Sequence, residues 1–192
     1  MVPFSTWIAA LSRMSLSSTV ITHCPTPACG IALTHAALGS SVLLTEFLTP
    51  DRVVVPLAAR DKSGIIAELT HHLVDHAGGT FREVLGAVEE REAVLSTGIG
   101  FGVAIPHARS SAVRELSVVC GVSSVPVPYD SIDGEPVRLF FLIVAPEASA
   151  GQHIKVLSRI ARLVRRDSLR QRLCESGSAE KFYAALLEAE RP

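Results

Sequence analysis

Apolar and polar positions along the chain follow two alternating periods once the first forty residues are passed. Residues 53–59 (Val-Val-Val-Pro-Leu-Ala-Ala) are a short β-branched run closed by Arg60-Asp61-Lys62-Ser63-Gly64, which predicts a strand turning into a helix. Ile66, Leu69 and Leu73 recur at helical spacing until Gly78-Gly79 ends that helix. Thr80 with Glu83 three residues on forms a capping box for a second helix carrying Val84, Leu85 and Val88. Residues 102–105, 117–122 and 137–144 are further apolar segments separated by Gly, Pro, Ser and Asp, so a sheet of at least four strands is expected. Past Pro146 the period is helical again. Ser149 and Gln152 form a second capping box, and His153, Leu157, Ile160 and Val164 fall on one helix face. Two shorter helices close the chain, 169–175 capped by Ser168 and 179–188 after Gly177. The order strand, two helices, several strands, three helices implies an α/β fold with helices on both faces of a mixed sheet.

Composition changes this picture at the N-terminus. Residues 1–42 contain Arg13 as their single charged side chain, whereas charges occur throughout the remainder. Pro3, Ser5 and Ser12 interrupt any secretory leader, so the segment is read as a poorly ordered extension or as residues upstream of the natural start. The domain is expected to span 43–190. Residues 28–44, the most apolar long window, are broken by Gly30, His35, Gly39, Ser40 and Ser41, which argues against a membrane span and for a cytoplasmic chain. A chain of 192 residues with 48% hydrophobic content can bury one sizeable core unaided. Its net charge of -1 supplies no field for a nucleic-acid backbone or an anionic membrane. Cys24, Cys29, Cys120 and Cys174 form no C-x-x-C pair and are read as reduced thiols.

The chemistry concentrates between Arg91 and His107. Ser96, Thr97, Gly98 and Gly100 suggest a loop with exposed backbone N–H groups able to line an anion-binding concavity. The short strand that follows ends in Pro106-His107, and proline's fixed φ would display His107 rigidly. A neutral imidazole so displayed can accept a phosphoryl group and hand it on, although a lone strand-end histidine is as readily a packing residue. His153 lies in the first turn of a helix, where unpaired N–H groups favour an anion; its ring should face the sheet, either as a site residue or as a core histidine. Arg91, among Glu89, Glu90 and Glu92, is either a solvated helix end or the planar fork that phosphoryl oxygens need.

The segment from Arg91 to His107, with its Ser-Thr-Gly-Ile-Gly and Ala-Ile-Pro-His runs, resembles the signature of mannitol/fructose-type enzyme IIA domains, nitrogen-regulatory IIA proteins included. The likeness extends from Leu43 to about Glu190 and takes in the turn at 132–137 and the helix start His153-Ile-Lys-Val-Leu-Ser-Arg-Ile-Ala. It implies a three-layer α/β/α sandwich, His107 as the phosphorylated residue, His153 as a second histidine holding the phosphoryl group, and Arg91 as the arginine opening the motif. It implies a phosphotransferase without a cofactor, taking the group from a histidine phosphocarrier protein and passing it to a IIB domain. The alternative it carries is a regulatory protein whose phosphorylation controls binding to a target. The chain departs from the family in Phe101, where Asn or Glu is common, and in Ala108-Arg109 after the active histidine.

Other motifs carry less. His72 and His76 have the i, i+4 spacing of a zinc pair, but Leu73, Val74 and Asp75 lie between them and no metal site is expected. No glycine pattern matches a nucleotide loop, and Asp130 and Asp133 read as turn residues. Arg159, Arg162, Arg165 and Arg166 form a solvated helix face that could also dock an acidic partner. Monomer and dimer are both compatible with the sequence.

Overall fold

The computed structural model describes residues 42–191, so the expectations for residues 1–41 lie outside the described residues. Strand β1 (Val53–Leu57) leads into α1 (Lys62–Ala77), whose first turn is capped by the Asp61 carboxylate accepting from the Gly64 amide at 2.9 Å. Gly78, at φ 73°, ends α1 in a conformation that a side chain would resist. Helix α2 (Phe81–Val94), strands β2 (Gly98–Gly100), β3 (Val103–Ala104), β4 (His107–Arg109), β5 (Ser117–Val127) and β6 (Val137–Ala145), and helices α3 (Ala150–Val164), α4 (Asp167–Cys174) and α5 (Ala179–Glu190) follow. The order of elements is the expected one, with two short strands, β2 and β4, that hydrophobic patterning does not signal.

Three of the expected caps do not form. Thr80 precedes α2 and Ser149 precedes α3, but neither side chain makes a capping bond. Before α2 the Thr80 carbonyl accepts from Glu83 and Val84 in the hydroxyl's place, and before α3 a 3₁₀ turn, Glu147–Ser149, runs straight into the helix. Helix α4 starts at Asp167, so Ser168 lies inside its first turn rather than capping it. Ser178 does cap α5, accepting from Lys181.

The sheet runs β1-β5-β6-β3-β2, with β4 also paired to β6. β6 is antiparallel to β5 and parallel to both β3 and β4, and β1 is parallel to β5. Alternation along β6 divides the core in two. Leu139, Phe141, Ile143 and Ala145 face α3, α4 and α5, together with Leu44 and Leu48. Phe140, Leu142 and Val144 face α1 and α2. This is the three-layer α/β/α sandwich.

Glu190, at the end of α5, fastens the segment before β1 to the helical layer. Its buried carboxylate accepts from the Leu44 amide at 2.9 Å, the Thr45 amide at 2.9 Å and the Thr45 hydroxyl at 2.8 Å, and pairs with Arg159 at 2.7 Å. Burial opposes the ionised form, but these donors outweigh it and hold the pKa below the usual carboxylate range. A depressed carboxylate pKa stabilises the fold above the unfolded value of about 4.3 and loses that contribution as pH falls through the folded value. Glu190→Gln should therefore cost about 2 kcal/mol at pH 7, and thermal melts of the two proteins should converge as the pH is lowered below about 4.

Candidate active site at the end of the central sheet

His107 opens β4 directly after Pro106, a residue with no N–H to offer a ladder. The Pro106 carbonyl accepts from the Ile143 amide at 3.0 Å, and β4 then runs in register with β6, His107 opposite Ile143 and Arg109 opposite Ala145. The imidazole is half-buried, with Nδ1 2.8 Å from the Ile105 carbonyl oxygen. A carbonyl only accepts, so Nδ1 carries the proton and Nε2 the lone pair. Burial lowers the pKa of His107; the Ile105 carbonyl raises it, Arg91 lowers it further and Glu92 raises it. The net displacement is downward, so the ring is neutral at pH 7.

His153 approaches from the first turn of α3 and is 6% exposed. Its ring centroid lies 5.5 Å from that of His107, with the planes at 59°. The ring faces the sheet and meets the first histidine. Burial, then repulsion from Arg109 and from His107 whenever that ring is protonated, push its pKa down to about 4, and its buried Nδ1 has no hydrogen-bond partner among the described residues. Two neutral imidazoles thus face each other at the C-terminal end of β6.

Arg91 stands in the last turn of α2, half-buried, and its Nη1 donates to the Leu95 carbonyl at 2.8 Å. Its charge contributes to lowering the His107 pKa. The Ser96 hydroxyl donates to the Tyr129 carbonyl at 2.8 Å and accepts from the Gly98 amide at 3.3 Å. Thr97 is buried; its amide donates to the Glu92 carboxylate and its carbonyl accepts from Ile105. Ser96 and Thr97 therefore lie beside the residues leading into His107, with the Thr97 and Gly98 amides already paired within the chain. Gly98 and Gly100 belong to β2, whose hairpin with β3 leads towards the opposite end of β6. Gly100 and Gly102 adopt positive φ around Phe101, whose amide donates to Asp133 at 2.8 Å and whose ring lies 5.1 Å from the Arg170 guanidinium.

Glu92 and Lys62 are neighbours of the site that sequence reasoning did not pick out. Glu92 continues the buried α2 stripe of Val84 and Val88 at i, i+4 and i+8, and that spacing was the available signal. Away from the site, His72 Nε2 donates to the Asp51 carbonyl at 2.6 Å, and His76 Nδ1 lies 3.2 Å from the Asp51 carboxylate. The two histidines fasten α1 to the turn before β1.

The family model for the phosphoenolpyruvate-dependent sugar phosphotransferase system, EIIA 2, matches residues 46–189. The chain belongs to this family. It is 32% identical over 143 residues to a nitrogen regulatory protein of Bradyrhizobium diazoefficiens, covering 74% of this chain and 94% of that one. It is 34% identical over 142 residues to the fructose-specific EIIABC component of Bacillus subtilis, covering 71% of this chain and 22% of that longer protein. Nitrogen regulatory protein IIA-Ntr from Neisseria meningitidis has the same fold, with a TM-score of 0.70 at 32% identity, over 74% of this chain and 97% of that one. Membership in the EIIA 2 family supports a phosphocarrier or regulatory role for this domain. Among the described residues no helix is long and apolar enough to cross a membrane.

The placement of Arg91 has a spectroscopic consequence. Its cation lowers the His107 pKa, so Arg91→Ala should raise the pH at which the His107 imidazole titrates by NMR, and Arg91→Lys should largely preserve the wild-type value. An unchanged titration in Arg91→Ala would remove Arg91 from the site.

Proposed function

We propose that His107 accepts a phosphoryl group on Nε2 from a histidine phosphocarrier protein and passes it to an acceptor, a IIB domain of a sugar permease. The observation that carries this reading is the pairing of His107 Nδ1 with the Ile105 carbonyl, which leaves the lone pair on Nε2 of a neutral, rigidly displayed ring. The Nε2 lone pair attacks phosphorus, the bond from phosphorus to the donor's nitrogen breaks, and its electron pair leaves with the donor. The proton on Nδ1 stays in place throughout, its bond to Ile105 strengthening as the ring takes on positive character.

His153 serves as a donor to the transferring group. An unpaired buried N–H is costlier than an unpaired lone pair, so the proton of its neutral ring resides on Nε2 rather than on the partnerless Nδ1. That N–H, at the start of α3, can bind a phosphoryl oxygen. Arg91 adds a fixed positive charge for the equatorial oxygens. Ser96, Thr97, Gly98 and Gly100 act through the hairpin they build, which holds the approach to His107, more than through free amides.

A second reading is regulatory: phosphorylation of His107 switches affinity for a target protein. The likeness to nitrogen regulatory proteins supports it, the one from Bradyrhizobium diazoefficiens being 32% identical over 143 residues. Both readings share the same chemistry at His107.

Incubation with a phosphorylated carrier protein should give one acid-labile, base-stable adduct, mapped to His107 and absent from His107→Ala. Label found mainly on His153 would refute the assignment. His153→Ala should still accept the group but on the order of 10²-fold more slowly in single turnover. Acceptance by the wild type should persist below pH 6.5, the ordinary histidine value, and decline at lower pH as Nε2 becomes protonated, in step with the depressed His107 pKa.

A further inference from the structure

In sequence Glu92 is the last of three acids around Arg91, and the structure separates it from the others. Glu89 and Glu90 are exposed, whereas Glu92 is 8% exposed. Its two carboxylate oxygens accept from the Thr97 amide at 3.0 and 3.1 Å, and the Thr97 hydroxyl donates to one of them. The remaining demand of a buried anion is met by Lys62, whose Nζ lies 3.0 Å from Glu92. Lys62 also reaches Asp130 at 3.2 Å and stands 4.8 Å from the Tyr129 ring centre. Burial alone would lower the Lys62 pKa, but Glu92 and Asp130 raise it overall, so the cation persists at neutral pH.

This cluster joins four segments: the start of α1, the end of α2, the turn at 95–98, and the connection from β5 to β6. The turn begins at Leu95, which leaves the helix in an extended conformation, and the Leu95 carbonyl receives the Arg91 guanidinium. Anything that sets the path of residues 95–98 therefore sets where Arg91 is held. Thr97 and Lys62 also occupy both oxygens of Glu92, so the adjacent arginine is not drawn into a pair with it.

We propose that Glu92, neutralised by Lys62, is a positioning residue for phosphoryl transfer, locking the turn at 95–98 so that the Leu95 carbonyl holds Arg91 beside His107. The proposal rests on the phosphocarrier reading of His107 and adds to it two residues that need not touch the phosphoryl group. A carboxylate suits the position because Thr97 presents two donors to it and Lys62 a third, and the amide of Gln can accept through one oxygen only.

The test uses the full chain with Glu92→Gln, and with Thr97→Val as a milder change that removes the hydroxyl and keeps the amide. Hydrogen exchange at the Thr97 amide should quicken about tenfold or more in Glu92→Gln while amides of β5 and β6 keep wild-type protection. Single-turnover transfer to His107 should slow by roughly 10- to 100-fold, the usual effect of a small misplacement. Adding Glu92→Gln to Arg91→Ala should slow transfer no further, because the glutamate acts through the arginine. Multiplicative slowing in the double variant, or wild-type exchange and rate in Glu92→Gln, would overturn the proposal. If Glu92→Gln does not fold, Thr97→Val must show the same pattern in smaller degree, and wild-type behaviour there is the overturning result. A wild-type protein that accepts no phosphoryl group would refute the phosphocarrier reading instead. The lock would then be judged by NMR: Arg91→Ala should no longer shift the His107 titration in the Glu92→Gln background, and a persisting shift would count against it.

Discussion

Strand β6 is the constraint on which the rest of this structure depends. Val137 and every residue from Leu139 to Ala145 are fully buried, so each side chain is committed to one of two helical layers and the strand cannot slip without exposing both cores. Three other strands take their register from it. β5 lies antiparallel along one edge, while β3 and β4 follow one another in parallel along the other. The same register that buries Ile143 places His107 opposite it. Because Pro146 ends the strand and α3 turns back over the sheet, His153 arrives at that end as a consequence of chain connectivity.

Electrostatics at the site follow from how deeply each group is set. Both histidines are driven towards the neutral form by burial, with the cations nearby adding to that effect: Arg91 at His107, Arg109 at His153. Of these cations Arg91 donates to the Leu95 carbonyl, and Arg109 pairs with Glu147 at 3.7 Å. Glu92 opposes the effect of Arg91 at His107 but does not reverse the downward displacement. Its carboxylate is turned to Thr97 and Lys62, so much of its charge is balanced locally.

The departure at Phe101 falls outside this arrangement. It sits at the tip of the β2–β3 hairpin with φ 58°, its amide held by Asp133 and its ring against Arg170, near the end of β6 opposite to His107. The hairpin strand β3 pairs with β6 at Leu139 and Phe140, whereas His107 pairs at Ile143.

Much of this protein was decided by sequence alone, because the deciding effects are local. Periods of two and near 3.6 in the apolar residues set the order of strands and helices, and Gly78 ended α1. The Arg91-to-His107 segment, read as a phosphotransferase signature, identified the family and nominated His107, His153 and Arg91. Sequence was a poorer guide wherever partners were remote or backbone paths competed. Capping boxes at Thr80 and Ser149 did not form because a carbonyl and a 3₁₀ turn took over those helix starts. β2 and β4 exist only because β6 and its neighbours supply their hydrogen bonds, which no two- or three-residue pattern can reveal. Glu92 looked solvated among its acidic neighbours; only the fold, by bringing Lys62 thirty residues upstream against it, made a buried carboxylate tolerable. The nitrogen of His107 that carries the lone pair was likewise a tertiary decision, since it depends on where the Ile105 carbonyl points.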